Sequence, residues 1–210
     1  MRLYSRTKGA EYDSSRTDET GVTLLPMTLP IKRVVTAVTA TGTSVVVEDA
    51  PLDPVELALM PGVQMFQIWG TEGSITSPVA DPKPDNTTFF PGAGGTRFGL
   101  FRLPPEPKDE LVQDDSVDDE TLAAGAAEAE NKVPGLLAIF EPDAPGMHQT
   151  TSVDYVIVIE GDLWVELDDG VEVHLPVGTC LVQNGARHGW RNHGDVPATL
   201  AYVILDAQNS

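Results

Sequence analysis

From Ile31 onward the chain is written as short runs rich in Val, Ile, Thr and aromatic residues, with turn signals about every 8–12 residues. "KRVVTAV" and "TSVVVED" flank "TATG" and read as a hairpin. "VQMFQIWG" (63–70) and "TRFGLFRL" (96–103) follow, separated by a long loop rich in Pro and Gly. "GLLAIFEP", "VDYVIVIEG", "DLWVELDDGVEVHL" with a turn at Asp169-Gly170, "TCLVQNGARHGWRN" and "ATLAYVILDA" complete the series. About ten short strands predict a closed or double-sheet all-β fold. The 19 Gly and 17 Pro supply the turns, and 210 residues suit one ordinary domain.

Composition divides the chain further. Residues 1–30 are polar apart from "VTLLPMTLP" and read as an N-terminal arm or a disordered tail. Residues 31–207 form the single domain. Within it, 104–132 is an acidic insert, with ten acidic side chains against Lys108 and Lys132. Its "DDETLAAGAAEAE" has good helix formers behind an acidic start and predicts a short helix or a mobile loop. Residues 133–207 carry the densest β signal. The formal net charge of −19 repels phosphate backbones and anionic lipid, which argues against nucleic-acid and membrane-surface partners. The single cysteine, Cys180, rules out an internal disulfide and fits a reducing compartment. The first residues have no apolar core behind their basic ones, and no run approaches the roughly 18 apolar residues of a membrane helix. The expectation is a soluble, cytoplasmic protein.

Chemistry gathers in "GMHQTTSVDYVIVIEGD", Gly146 to Asp162. Side chains alternate faces along a strand, so His148, Thr150, Ser152 and Asp154 share one face with Val156 and Val158. One face is thus polar at its start and apolar further in, as a barrel strand with a polar mouth would be. Buried carboxylates and imidazoles need partners, so this face should meet a metal, a ligand or another polar group. A second histidine, His188, follows "CLVQ" and the turn "NGAR", and Trp190 and Asn192 share its parity.

In these residues the chain resembles the cupin family. His148 stands at the first His of the first cupin motif, Thr150 at its second His, Asp154 at its Glu and Gly161 at its closing Gly. Gly178, His188 and Asn192 fit the second motif, with Asn184 at the usual Pro. The resemblance covers Val133 to Ala207 and extends weakly to Ile31–Leu103. It implies a cupin double-stranded β-helix, a jelly-roll barrel with an N-terminal arm and the short acidic insert. It also implies a divalent metal (Fe, Mn, Ni or Zn) on His148, Asp154 and His188, a set of two imidazoles and one carboxylate. Asp is one methylene shorter than Glu, so Asp154 is alternatively a general base, with His148 or His188 as further catalytic groups.

The implied function is a small-molecule enzyme of lyase or isomerase type. Its chemistry would be metal-assisted and non-redox: dehydration, decarboxylation, isomerisation or cyclisation of a small organic, secondary-metabolite-like substrate. The alternatives are a metal-free cupin that binds a small ligand as sensor or carrier, and an Fe(II) dioxygenase. A homodimer is the assembly the resemblance implies. Val156, Val158 and Val182 would form the apolar barrel floor, and Cys180 would line the barrel as a buried, inert thiol. Asp154 could instead pair with Arg187 or Arg191. Arg97, Arg102 and Gln64 could face the pocket and bind a substrate carboxylate. His174 and His193 read as surface residues, Trp164, Trp190 and Tyr155 as packing. "GAGG" at 92–95 lacks a following helix and Lys, so it is not a phosphate loop.

Overall fold

A computed structural model describes residues 16–17, 23–24, 30–79, 81–107 and 118–207. The expected N-terminal arm therefore lies outside the described residues, except for a short antiparallel pair, β1 (Arg16–Thr17) and β2 (Thr23–Leu24). The same holds for 108–117 of the acidic insert.

The β-type runs become β3 (Lys32–Val38), β4 (Ser44–Pro51), β5 (Gln64–Thr71), β6 (Thr96–Leu103), β7 (Ser152–Glu160), β8 (Leu163–Glu166), β9 (Glu172–Leu175), β10 (Cys180–Asn184), β11 (Gly189–Arg191) and β12 (Ala198–Asp206). Strands β10-β7-β12-β6-β5 form one antiparallel sheet, β11-β8-β9 a second, and β3–β4 a separate hairpin. The fold is an all-β double-stranded β-helix, with its core between the two larger sheets.

Alternation decides what each strand contributes. In β7, Ser152, Val156 and Val158 are buried while Tyr155 and Ile157 are exposed. The register carries this inner face across the sheet: Val156 lies opposite Tyr202, and Val158 opposite Leu200. Met65, Leu163, Leu200 and Val158 are almost completely enclosed. Burying each such side chain stabilises the fold by about 1.5–3 kcal/mol before chain entropy is counted.

The acidic insert ends in a helix, α1 (Asp119–Lys132). The Asp118 side chain accepts from Thr121 N at 2.8 Å and caps it, and Asp119 and Glu120 favour its first turn. The helix is held to the barrel through its C-terminal half. Glu128 accepts from Ala58 N at 2.9 Å, and Lys132 donates to Glu56 O at 2.9 Å. Ala129 and Val133 thereby join the core.

Three expectations need correction. "GLLAIFEP" is not a strand; Leu137–Ile139 form one turn of 3-10 helix. A short apolar run without alternation fits either structure, and here Leu136, Ile139 and Phe140 fold over the barrel mouth. Cys180 and Val182 point outward and are exposed, so neither lines the barrel. Gln183 is the buried member of β10, with Leu181 half-buried. Parity cannot be counted from Cys180 to His188, because the turn at Gly185 (φ 64°) resets it.

Gly161 closes the β7–β8 turn at φ 66°, where a Cβ would stand 2.7 Å from Pro197 O and 2.8 Å from Ala198 Cα. Gly170 has a similar φ, 70°, with nothing near its missing Cβ. Gly170→Ala should cost only the left-handed backbone penalty, about 1–2 kcal/mol. Gly161→Ala should cost roughly 2–5 kcal/mol, because overlap adds to it. Urea denaturation of the two variants checks the difference.

Candidate acid–base site

The mouth of the barrel is closed by a two-bond backbone bridge. His148 N donates to His188 O at 2.8 Å, and His188 N donates to His148 O at 2.9 Å. Two residues 40 apart in sequence thus face each other, with ring centroids 4.2 Å apart. Phe140 meets the His148 ring edge-on at 5.2 Å, and Trp190 meets the His188 ring at 5.5 Å. Glu141 accepts two bonds from Arg187, at 2.6 and 2.7 Å, and Asp168 takes a third at 2.9 Å. That clamp fixes both segments that carry the imidazoles.

Inside the bridge lies a cavity of about 140 Å³. Phe89, Phe90, Phe101, Phe140, Trp190 and Tyr202 give it aromatic walls, and Val156, Leu200 and Ile204 extend them. Its polar end is His148, His188, Thr150 and Asp154. The three site residues read from the sequence therefore line one cavity. The aromatic walls were not foreseen. Trp190 is a wall of this cavity as well as a packing residue. The signal that could have found Phe89 and Phe90 is a pair of large aromatics inside a Pro/Gly loop, which must bury against something.

The tautomers follow from the hydrogen bonds. His148 Nδ1 is 3.0 Å from Gly146 O, and His188 Nδ1 is 2.8 Å from Ala186 O. A carbonyl only accepts, so each Nδ1 carries the proton, and each Nε2 of the neutral ring is a bare acceptor. Burial holds the pKa of His148 below its ordinary value. Burial and the neighbouring His148 push His188 down to about 4. Both rings are accordingly neutral near pH 7.

Asp154 moves in the opposite direction. Burial raises its pKa, opposed only in part by a hydrogen bond from Ser152. Thr150 Oγ1 and Ser152 Oγ are 2.8 Å apart. Ser152 has one proton to give, so Thr150 donates to Ser152 when Ser152 donates to Asp154. The other oxygen, Oδ1, is buried with no protein partner. Directly across the β7–β10 register sits Gln183, whose buried Nε2 also lacks a partner. Unsatisfied buried polar atoms of this kind are rare and mark either ordered water or a ligand position.

The arginines stand elsewhere. Arg187 is held by Glu141 and Asp168, while Arg191 pairs with Glu166 and Glu106 and donates to Pro145 O. Neither is the partner of Asp154. Arg97 is buried against Glu72, Thr88 O and Thr71 O, and Arg102 against Thr199, Gln64 and Glu160. Arg97, Arg102 and Gln64 thus brace the outer loops and sheet, and none is a lining residue of the cavity. His174 and His193 are on the surface, both against Trp164.

Among the described residues no three His, Cys, Asp or Glu side chains converge closely enough to hold a metal ion. His148, Asp154 and His188 share a cavity but do not form the three-ligand set expected of them. Among the described residues, no helix is long and apolar enough to cross a membrane.

No protein-family model matches the chain. Among curated proteins it is similar to the Oryzines biosynthesis cluster protein J of Aspergillus oryzae, 38% identical over 65 residues, which is 30% of this chain and 36% of that protein. It is also similar to the Cupin-domain-containing oxidoreductase virC of Hypocrea virens, 37% identical over 65 residues, 30% of this chain and 34% of that one. The matches thus span about a third of the length of these relatives. Solved structures to which it is similar include an RmlC-like cupin family protein of Methanocaldococcus jannaschii (TM-score 0.34, 10% identity, 55% of this chain and 73% of that one). A sugar phosphate isomerase from the cupin superfamily of Silicibacter pomeroyi has a TM-score of 0.32 and 20% identity, over 53% of this chain and 51% of that one.

The buried imidazoles also set a pH dependence of stability. The folded pKa of His188 lies below the unfolded 6.5, so the unfolded chain binds the extra proton between pH 6.5 and about 4. Stability is present above 6.5 and is lost as pH falls toward 4. For His188 that loss is on the order of 3 kcal/mol. Asp154, with its raised pKa, acts with the opposite sign and regains stability as pH falls through its folded value. His188→Gln should therefore unfold less steeply than wild type on acidification from pH 6.5 to 4.5. Chemical denaturation at stepped pH values measures this.

Proposed function

We propose that this chain, a cupin by fold with curated relatives named as cupin-domain-containing, is an enzyme of non-redox acid–base chemistry on a small apolar molecule. The reaction class is proton abstraction next to a carbonyl, leading to isomerisation, dehydration or cyclisation. The observation that carries it is the Asp154 carboxyl, raised in pKa with one buried oxygen left unpartnered, at the end of an aromatic-walled cavity beside two neutral imidazoles. A carboxylate shifted toward neutrality is a better matched base at pH 7.

In this reading Asp154 Oδ1 takes the proton from a carbon beside the carbonyl. The C–H electron pair moves into an enolate. The resulting carboxylic acid returns the proton to another carbon, or to a hydroxyl that leaves as water. No oxidant is needed. The bare Nε2 atoms of His148 and His188 accept hydrogen bonds from the substrate and serve as secondary bases. The apolar walls exclude water and keep the small charges strong. Relatives named as a biosynthesis cluster protein and as a cupin-domain-containing oxidoreductase support an enzyme acting in biosynthesis.

A metal-assisted or Fe(II) dioxygenase version needs a third ligand within reach of the two imidazoles, and the described residues do not bring one. No step is therefore assigned to a metal. A metal-free binding module is the second reading, favoured by the same apolar walls.

The test is exchange of the α-hydrogens of 1-indanone, a small bicyclic ketone, in D2O followed by proton NMR. Wild type should accelerate exchange, and Asp154→Asn should reduce the acceleration by roughly 10²–10⁴-fold. Binding of the ketone without accelerated exchange would favour the binding module.

A further inference from the structure

The five-stranded sheet lines the cavity with its inner face, through residues such as Asp154, Val156 and Leu200. Its outer face has a pattern of its own, which the register carries across all five strands. One row runs Val182, Tyr155, Val203, Phe98 and Trp69, from β10 through β7, β12 and β6 to β5. The next row runs Cys180, Ile157, Ala201, Leu100 and Phe66. Neither row holds a charged side chain, although the chain has 32 Asp and Glu. Phe66 and Leu100 are buried, but Val182 is 54% exposed, Tyr155 52%, Phe98 41% and Ile157 39%. Cys180 is exposed beside them.

An antiparallel sheet with one face in water alternates apolar and polar side chains, whereas a strand covered on both faces reads as a continuous apolar run. The "YVIVI" of β7 is such a run. Its sequence is written for two covered faces, and the fold covers one. The open rows cross strands about 4.8 Å apart, so they extend roughly 20 Å over the sheet. A contiguous apolar patch of that extent reaches a few hundred Å², the size at which a surface carries a partner. It matches the apolar centre of an interface of roughly 800 Å² per partner.

We propose that a second copy of this chain covers the face, the two outer sheets packing against each other about a twofold axis with Tyr155 and Phe98 at the centre of the contact. Charge selects this occupant. A basic partner is drawn to the acidic surface of a chain of net charge −19, not to its one uncharged sheet face. Two copies repel each other everywhere except where neither brings a charge, and these rows are such a place. Shape agrees. The smaller Val203 and Ala201 lie on β12 between Tyr155 and Ile157 on one side and Phe98 and Leu100 on the other. The face thus carries both a central furrow and the projecting rings that fit one, as an isologous contact requires. The cavity opens on the other side of the sheet, so each copy keeps its own site.

The test is sedimentation equilibrium of the full chain, wild type beside Tyr155→Glu, Phe98→Glu and Val173→Glu. Val173 is as exposed as Phe98 but lies on β9 of the other sheet, so its variant is the control. Circular dichroism and thermal unfolding check that each variant is folded. Wild type should dimerise at micromolar concentration, and more tightly as salt is raised, because salt screens the repulsion between two like-charged copies. Tyr155→Glu and Phe98→Glu should each weaken the dimer by roughly tenfold or more, since each buries an unpaired charge. Val173→Glu should leave it unchanged. Phe98 stands three strands in from β10, the edge of the sheet, so its effect separates face packing from pairing of β10 edges. A wild type still monomeric at about 100 µM, a concentration at which even weak specific contacts form, would overturn the proposal. So would a dimer that Tyr155→Glu and Phe98→Glu leave intact, or one that salt dissociates.

Discussion

The site depends on the backbone bridge between His148 and His188. Two hydrogen bonds join the segment entering β7 to the segment entering β11, and so bring two imidazoles to one barrel mouth. Each ring then spends its Nδ1 proton on a nearby carbonyl, which fixes tautomer and orientation together. The Arg187 clamp lies on the outside of this bridge. It keeps a strong, charge-assisted contact away from the cavity, where a guanidinium would otherwise ionise Asp154 fully and lower its pKa.

Desolvation explains the rest of the electrostatics. The same apolar walls raise Asp154 and lower His148 and His188, because in each case burial disfavours the charged form. The carboxyl and the imidazoles are thus driven toward each other in proton affinity. A net charge of −19 makes the separation notable: acids outnumber bases, yet the buried arginines Arg97 and Arg102 are committed to loops and sheet. Arg97 holds Thr88 and Phe90 by their carbonyls, and so positions the loop that delivers Phe89 and Phe90 to the cavity.

Much of this was legible in the sequence, for identifiable reasons. Strand alternation predicted the inner face of β7, because a register with one buried face is strongly specified. The acidic start of α1 predicted its helix. Parity failed where a turn interrupted it: Cys180 and Val182 point outward, since Gly185 separates their strand from His188. The run at 135–142 failed because apolar residues without alternation fit strand and helix alike. Arg187 and Arg191, the arginine partners the sequence offers Asp154, are instead drawn to Glu141 and Glu166. Tyr202, Phe89 and Phe140 come from three distant segments, and only tertiary packing reveals that they share a wall.

The central claim is that Asp154 is a desolvated carboxyl held without a cationic partner. Its side-chain carboxyl carbon, assigned by comparison with Asp154→Asn, can be titrated by carbon-13 NMR. The account predicts a midpoint above the ordinary 3.8 for aspartate, and a further rise when a neutral ketone fills the cavity. A midpoint at or below 3.8, unmoved by the ketone, would mean a solvated or ion-paired carboxylate and would contradict it.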